Sequence, residues 1–232
     1  MKGGFFIVLF FLLFGESLQI IAQKDTMMTT EIKNGMGLVF SSLYSKQTIN
    51  NPIKIISGGI SGSGGISYFC ALDKERNIYL SAELGYLYTR GMLNTNYVTV
   101  AHNYTSTTYN SVTPFSLINR SNYIYFSATI QKIILKLPKS FYLLGGVGIQ
   151  MNHLYSYSSE TKGFIDSSTG KNINYKWPYT ANYTSASLIA KLSLFKKVSK
   201  KISIIFSPIF YYGIKSNFLY GMGANFQLLY NI

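Results

Sequence analysis

Apolar and polar residues alternate one by one over much of the chain from Gly35 onward. The C-terminal segment Phe218–Ile232 is the clearest case: its even positions are all apolar or aromatic, and most of its odd positions are Gly, Asn or Gln. Because successive side chains of a β-strand point to opposite faces, this segment predicts a strand with one apolar and one polar face. Together with similar segments upstream it predicts an all-β chain of eight strands: Gly35–Tyr44, Ile55–Leu72, Ile78–Thr89, Ile124–Gln131, Phe141–His153, Ser185–Leu194, Ile202–Phe210 and Phe218–Ile232.

The connections between these strands alternate in length. Two long links, residues 91–119 and 154–180, join strands at one end, and short turns join them at the other. The short turns are Asp73–Asn77, Leu137–Ser140 and Lys196–Lys201. This asymmetry is typical of an antiparallel up-and-down outer-membrane barrel. Pro208 cannot donate to a strand ladder, so a bulge is expected in the seventh strand.

The two faces of the predicted strands indicate where lipid and water lie. The apolar faces are nearly free of charge, with Lys132 near a turn as the main exception, and the polar faces carry Ser, Gly, Asn, Thr and Gln. A Lys or Arg at mid-depth on a lipid-facing surface costs about 2–4 kcal/mol, and eight strands leave a lumen only wide enough for side chains. We therefore predict a transmembrane β-barrel with hydrocarbon outside. In lipid the sheet must close, since an open edge leaves backbone groups unpaired. A soluble barrel or sandwich with the apolar face inside is the alternative.

Aromatic residues gather at both ends of the predicted strands, as in the girdles that mark the two membrane interfaces. Ordinary core packing is the alternative for each aromatic taken alone. The loop-side group is Tyr86, Tyr88, Tyr155, Phe210, Tyr211 and Tyr212, and the turn-side group is Tyr68, Phe141 and Tyr230.

The first residues have the organisation of a secretory signal peptide. Lys2 precedes the uncharged, mostly apolar run Gly3–Gly15, and Ala22 supplies a small residue for cleavage. A membrane anchor fits less well, because the run is shorter than the roughly 18–20 residues of a spanning helix. The predicted organisation is a cleaved signal peptide at 1–22, a short periplasmic segment at 23–34 and the barrel at 35–232.

Composition agrees with export to a membrane. Of 232 residues only 12% are charged while 47% are hydrophobic, which is too few charges for an ordinary soluble surface. Cys70 is the single cysteine, so an intrachain disulfide is excluded. The net charge of +13 comes mainly from strand ends and turns. There it would meet anionic headgroups of outer-membrane lipids, and no basic face with stacking aromatics indicates nucleic acid.

The chain resembles the small outer-membrane β-barrel proteins of Gram-negative bacteria, of the OmpA-transmembrane and OmpX type. The resemblance rests on the signal peptide, the eight alternating segments, the loop asymmetry and the terminal strand FLYGMGANFQLLYNI. It implies that this strand carries the insertion signal read by the barrel assembly machinery, at Gly221, Phe226, Leu228, Tyr230 and Ile232. The family usually ends in Phe, from which Ile232 departs.

Glu83 and Lys191 are the charged residues that fall well inside predicted strands on the polar face. They lie at comparable distances from their short turns, and an unpaired buried charge is costly. We predict that they pair across the lumen, as interior salt bridges do in OmpA-like barrels. Separate satisfaction by water and neutral neighbours is the alternative.

His102 and His153 invite comparison with barrel lipid A deacylases, because Ser156, Ser158 and Glu160 follow His153. The spacing does not place these groups on one strand face, so no catalytic residue is assigned. One cysteine and two distant histidines do not provide the ligands of a metal site, and no cofactor is expected.

The sequence thus predicts a monomeric, non-enzymatic barrel of the outer membrane with a structural or surface-interaction role. Loops 91–119 and 154–180 are the candidate contacts for an extracellular or envelope protein partner, since residues 97–109 could extend two strands and capture a partner strand. A secretion-apparatus component of the PorT type or a narrow channel is the alternative, and a lipid-modifying enzyme is a third.

Overall fold

The computed structural model describes residues 34–49, 55–102, 105–138, 141–179, 183–214 and 219–232. The predicted signal peptide, residues 1–22, and nearly all of the predicted periplasmic segment, residues 23–34, lie outside the described residues. Within these ranges there is no helix that is long and apolar enough to cross a membrane.

The described residues form nine β-strands. They are β1 (Asn34–Ile49), β2 (Ile55–Ala71), β3 (Ile78–His102), β4 (Thr105–Leu137), β5 (Phe141–Lys162), β6 (Lys176–Tyr179), β7 (Tyr183–Lys197), β8 (Ile202–Gly213) and β9 (Leu219–Asn231).

Eight of these strands close into a ring. Each pairs antiparallel with its neighbour in the order β1-β2-β3-β4-β5-β7-β8-β9, and β9 pairs back with β1, where Val39 faces Gln227. The short β6 lies outside the ring order and pairs with the upper part of β5, where Ser159 faces Trp177. The predicted all-β, eight-stranded up-and-down barrel is confirmed.

The alternation of the sequence appears directly as an alternation of burial. On β8, Ser203, Ile205 and Ile209 are buried, whereas Phe206 and Phe210 are about half exposed. On β9, Phe226 and Leu228 are likewise exposed, while Leu229 is buried. The barrel therefore carries its apolar face outside, as the pattern predicts, and an ordinary soluble barrel would carry it inside.

The interior is less polar than alternation alone indicates, because large apolar side chains fill both ends of the lumen. The lower cluster, towards the short turns, is Phe69, Tyr79, Leu144, Phe195, Ile205 and Leu229. The upper cluster, towards the long loops, is Leu43, Leu87, Tyr123, Tyr125, Leu154, Ile189, Ile209 and Tyr211. Between them lies a polar belt that includes Ser67, Glu83, Gln150, Lys191 and Gln227.

Close backbone approach explains one pair of glycines on the inner face. Gly65 and Gly85 face each other in the β2–β3 ladder. A Cβ atom at Gly85 would lie 2.4 Å from the Gly64 carbonyl oxygen and 2.9 Å from Cε1 of Tyr125. The missing side chain therefore lets the Tyr125 ring cover the strand, and this allows the sheet to curl tightly.

The bulge expected at Pro208 is absent, and that prediction was wrong. Pro208 stays in register with Ala224 of β9, and the β7–β8 register is the same before and after it. The proline instead interrupts the β7–β8 ladder, whose described pairs resume at Leu194 and Phe206. The strand therefore tolerates the missing backbone N–H of Pro208, and it does so without the extra residue of a bulge. Register shifts occur elsewhere in the described ladders, for example between Asn122 and Tyr123.

Most of the residues predicted as long loops are strand. β3 and β4 pair as far as His102 and Thr105, so link 91–119 is an extended hairpin. β5 continues to Lys162, and residues 163–175 then fold back over the hairpin. The parts of β3, β4, β5 and β6 that project beyond the closed ring, together with residues 163–175, form one unit. We call this unit the extension.

The extension has its own small core. Phe164 is fully buried against Phe115 and Leu117 of β4, with ring centroids of Phe164 and Phe115 4.9 Å apart. Backbone hydrogen bonds tie the segment down, from Thr161 N to Tyr175 O at 2.9 Å and from Ile173 N to Phe164 O at 2.9 Å. The extension is therefore a packed structure rather than a set of solvated loops.

Candidate functional site: the lumen charge pair and the two rims

Glu83 and Lys191 project into the lumen from β3 and β7, which are separated in the ring by β4 and β5. Glu83 lies between Ser67 and Ser127 in its ladders, and Lys191 faces Gly146 of β5. The two serines beside Glu83 and Gly146 beside Lys191 leave room for the long side chains to cross the lumen, and Lys191 also faces Ile209 of β8. Lys191 Nζ donates a hydrogen bond to Glu83 Oε1, and the two side chains are almost completely buried. The structure brings the two residues together as the sequence predicts.

Two amides of β9 complete the surroundings of Glu83. Gln227 Nε2 donates to Glu83 Oε1 at 2.8 Å, and Asn225 Nδ2 lies 3.4 Å from Oε2. Sequence reasoning missed both partners. The sequence does contain a sign of them, because Gln227 and Asn225 are both amides on the polar face of the terminal strand.

The space beside Glu83 is too narrow for a water molecule. It is bordered by Ser41, Ser63, Leu87, Tyr125 and Gln150. A buried carboxylate that finds a cation and two amide donors is compensated without water. The pair and its two amide partners therefore fill the lumen at the depth of the polar belt.

The predicted girdle residues lie at the two ends of the apolar belt, with one correction. Tyr86, Tyr155, Phe210 and Tyr212 are exposed on the outer face of the loop side, and Tyr68 and Tyr230 are exposed on the turn side. Tyr88 and Phe141 are half-buried, and Lys196 Nζ lies 4.6 Å from the ring centroid of Phe141.

Tyr211 points into the lumen and is only 8% exposed, so its assignment to the girdle was wrong. The physical reason is the strand period. Phe210, Tyr211 and Tyr212 are consecutive in β8, so the middle one must face the opposite side.

The residues of the predicted insertion signal lie on or just after β9. Phe226, Leu228 and Tyr230 are exposed on the outer face, and Gly221 pairs with Tyr211. Ile232 is exposed and its backbone N–H donates to Asn34 O at 2.9 Å. The role of these residues in assembly stays a prediction.

His153 is not assembled with an acid and a serine. Its Nδ1 lies 3.1 Å from Thr184 Oγ1, while Glu160 is bound to Arg120 at 2.6 Å. His102 ends β3 far along the extension. Among the described residues, no group of three or more His, Cys, Asp and Glu side chains could hold a metal ion.

The turn-side rim is basic. Lys74, Lys132, Lys136, Lys196, Lys200 and Lys201 are exposed there, and Lys139 lies outside the described residues. Asp73 closes the first turn by accepting from Ile78 N at 2.8 Å and Asn77 N at 2.9 Å. The hydrogen bond from Ile78 is the main reason that the pKa of the Asp73 carboxyl is below its usual value.

The loop-side rim carries a row of charges that sequence reasoning missed. Arg90, Arg120, Glu160 and Lys176 come from β3, β4, β5 and β6. Arg120 Nη1 donates to Glu160 Oε2 at 2.6 Å, and this hydrogen bond lowers the pKa of the Glu160 carboxyl. There is little sign of the row in the sequence, because its residues are scattered along the chain. Arg90 and Arg120 border the link 91–119, and Glu160 and Lys176 fall in the link 154–180, which was predicted as a loop.

A closed ring of eight antiparallel strands with an apolar exterior and a filled interior is the architecture of a small outer-membrane β-barrel. Barrels of this type lie in the outer membrane of Gram-negative bacteria, and the exterior of this chain fits that location.

Known proteins give similarity in architecture only. No protein-family model and no curated protein sequence matches the chain. Among solved structures, the N-terminal β-barrel domain of Pseudomonas aeruginosa OprF is similar at 13% identity and a TM-score of 0.37, covering 85% of this chain and 99% of that one.

Two further barrels are similar at the same level. Ail, the attachment invasion locus protein of Yersinia pestis, solved with the heparin analogue sucrose octasulfate, is 10% identical with a TM-score of 0.35, covering 86% of this chain and 99% of that one. The translocator domain of the autotransporter NalP from Neisseria meningitidis is 7% identical with a TM-score of 0.32, covering 97% of each chain. None of these similarities supports a conclusion about function.

Proposed function

We propose that the protein is a closed, non-conducting barrel with a structural or surface-interaction role, in which the membrane part anchors the extension at the cell surface. The observation that carries this proposal is the filled lumen. Two apolar clusters lie above and below the Glu83–Lys191 pair, so an ion would have to displace packed rings such as Phe69 and Phe195. The barrel is taken to be a monomer inserted by the barrel assembly machinery.

Conductance in planar bilayers tests the closed lumen. The wild-type protein should give no steady openings at concentrations where a general porin, run as positive control, conducts. A variant with Phe69→Ala and Phe195→Ala thins the lower cluster and shows whether the assay reports a partly opened lumen. Steady, large openings of the wild-type barrel would overturn the proposal and favour the transport alternative.

The surface role depends on orientation. The extension should face the outside, because long strands and loops of outer-membrane barrels are extracellular and short turns are periplasmic. Its packed core around Phe164 makes it a defined surface for an extracellular or envelope protein partner, which solvated loops would not provide.

Cysteine labelling of intact cells tests the orientation. In a Cys70→Ser background, a Lys171→Cys variant in the extension should react with a membrane-impermeant maleimide. A Lys197→Cys variant at the turn side is the matched control, and it should react only after the outer membrane is permeabilised. The reverse result would contradict the proposed display.

A further inference from the structure

Four charged side chains form a row on the outer face of the barrel, where the ring meets the extension. Arg90 lies directly opposite Arg120 in the β3–β4 ladder, and Glu160 lies opposite Lys176 in the β5–β6 ladder. Arg90 and Lys176 are exposed, and the Arg120 and Glu160 side chains are 32% and 34% exposed. We call these four residues the rim row.

The rim row begins at the next outward-facing position after the loop-side aromatic residues, two residues further along the strand. Tyr88 precedes Arg90 on the same face of β3, and Asn122 occupies the corresponding place next to Arg120 on β4. Tyr86 donates to Asn122 Oδ1 at 2.5 Å, and its ring centroid is 6.1 Å from that of Tyr155. Since Tyr at strand ends marks the membrane interface, the rim row is at the height of the lipid headgroups.

The row has more positive than negative charge. Arg120 and Glu160 neutralise each other, and Arg90 and Lys176 also lie close enough to lower the pKa of the Glu160 carboxyl. Three cations thus surround one carboxylate. Like charges directly opposite in a ladder, such as Arg90 and Arg120, are destabilising. Because Glu160 offsets one of the three positive charges, the row keeps a net charge of about +2 that an added anion would offset.

We propose that the rim row binds a phosphate group on the headgroup of an outer-leaflet lipid. Guanidinium groups match phosphate geometry through paired hydrogen bonds, and an ammonium adds a mobile positive charge. A dissolved phosphate ion has the same charge, but the place of the row beside Tyr86 and Tyr155, above an apolar surface, favours a phosphate that is attached to lipid. This proposal rests on the proposed orientation of the barrel.

Native mass spectrometry of the folded, detergent-purified barrel tests it, with lipid A and enzymatically dephosphorylated lipid A as probes. An Arg90→Gln/Lys176→Gln variant removes two cations and leaves the Arg120–Glu160 pair. A Lys74→Gln/Lys171→Gln variant removes the same charge elsewhere and is the matched control. Each removed cation of the row should weaken retention of phosphorylated lipid A about five-fold, while the control retains it like the wild type.

Three results would overturn the proposal. They are equal retention by the rim-row variant and the wild type, equal retention of the dephosphorylated lipid, and complete displacement by low-millimolar inorganic phosphate, which would indicate a site for a dissolved anion. If the double variant does not fold, the single exposed change Arg90→Gln gives the same comparison. Lipid retention by the purified barrel does not depend on conductance or on labelling in cells, so failures of the two proposals are distinguishable.

Discussion

Lys191 donates to Glu83 across the lumen although the two residues are 108 positions apart in the sequence. Each comes from the middle of a strand, and both side chains are almost completely buried. Removing one partner of a buried ion pair leaves an uncompensated charge, whereas removing both does not. The two residues should therefore be strongly coupled in stability.

A double-mutant cycle measures this coupling. Glu83→Gln and Lys191→Met alone should each lower the free energy of unfolding by about 3–5 kcal/mol, and the double variant should lose clearly less than the sum. The free energies are obtained from urea unfolding in detergent micelles. Lys200→Met, which removes an exposed lysine near a turn, is the control and should add simply to Glu83→Gln. Simple addition of the Glu83 and Lys191 losses would refute the pair.

The lower cluster should respond to truncation differently from the exterior. Phe195 is fully buried against Phe69, with ring centroids 5.9 Å apart, and Phe206 on the next strand is 47% exposed on the outer face. Phe195→Ala leaves a cavity and should cost about 3–5 kcal/mol. Phe206→Ala should cost less, because lipid or detergent chains fill the space.

Urea unfolding in the same micelles gives the free energy of unfolding of both variants. The comparison is matched, because both variants replace Phe by Ala. If Phe206→Ala lowered the free energy of unfolding as much as Phe195→Ala or more, the packed core would lie on the outer side of the sheet, which would contradict the account.

The rim row should make the extension sensitive to acid. The hydrogen bond from Arg120 lowers the pKa of the Glu160 carboxyl from its usual 4.5. A group with a lowered folded-state pKa stabilises the fold above its unfolded pKa, and the stabilisation is lost as pH falls through the folded value. The Arg120–Glu160 contact between β4 and β5 should therefore hold at pH 4.5 and weaken at lower pH. The β5–β6 pairing should weaken with it, because Lys176 of β6 lies opposite Glu160 and also lowers the pKa of its carboxyl.

The single tryptophan, Trp177, lies in β6 and reports on this pairing through its fluorescence. Wild-type emission should change in a step below pH 4.5, and Glu160→Gln should remove that step. Glu75→Gln in the first turn is the control and should leave it in place. A step that persists unchanged in Glu160→Gln would show that another acid is responsible.

The parts of the fold that lie in lipid could be predicted from sequence because lipid imposes a strict alternation. Residues such as Phe226 and Leu228 must face outward and Gln227 inward, so strand positions and faces follow from counting. Counting from the turns also placed Glu83 and Lys191 at one depth. Tyr211 was assigned to the wrong face where three aromatic residues in a row obscure the alternation.

The extension could not be predicted in the same way. Outside the membrane both faces of a strand can be polar, so β3 and β4 lose their apolar periodicity while still pairing to His102 and Thr105. Phe164 packs on Phe115 through a chain reversal for which the sequence gives no periodic signal. The rim row depends on ladder register across β3–β6, which only the structure supplies.

The outward direction of the apolar face is the claim on which the rest depends, and two neighbouring aromatic residues of β4 allow a direct test. Phe126 is 45% exposed on the outer face, and Tyr125 is 3% exposed in the lumen. In a Trp177→Phe background, Phe126→Trp and Tyr125→Trp each give one reporter at nearly the same depth. The measurement is fluorescence quenching in vesicles of phosphatidylcholine brominated near the bilayer centre. Strong quenching of the Phe126→Trp reporter and weak quenching of the Tyr125→Trp reporter is the predicted result, and the reverse order, or no quenching of either, would contradict the account.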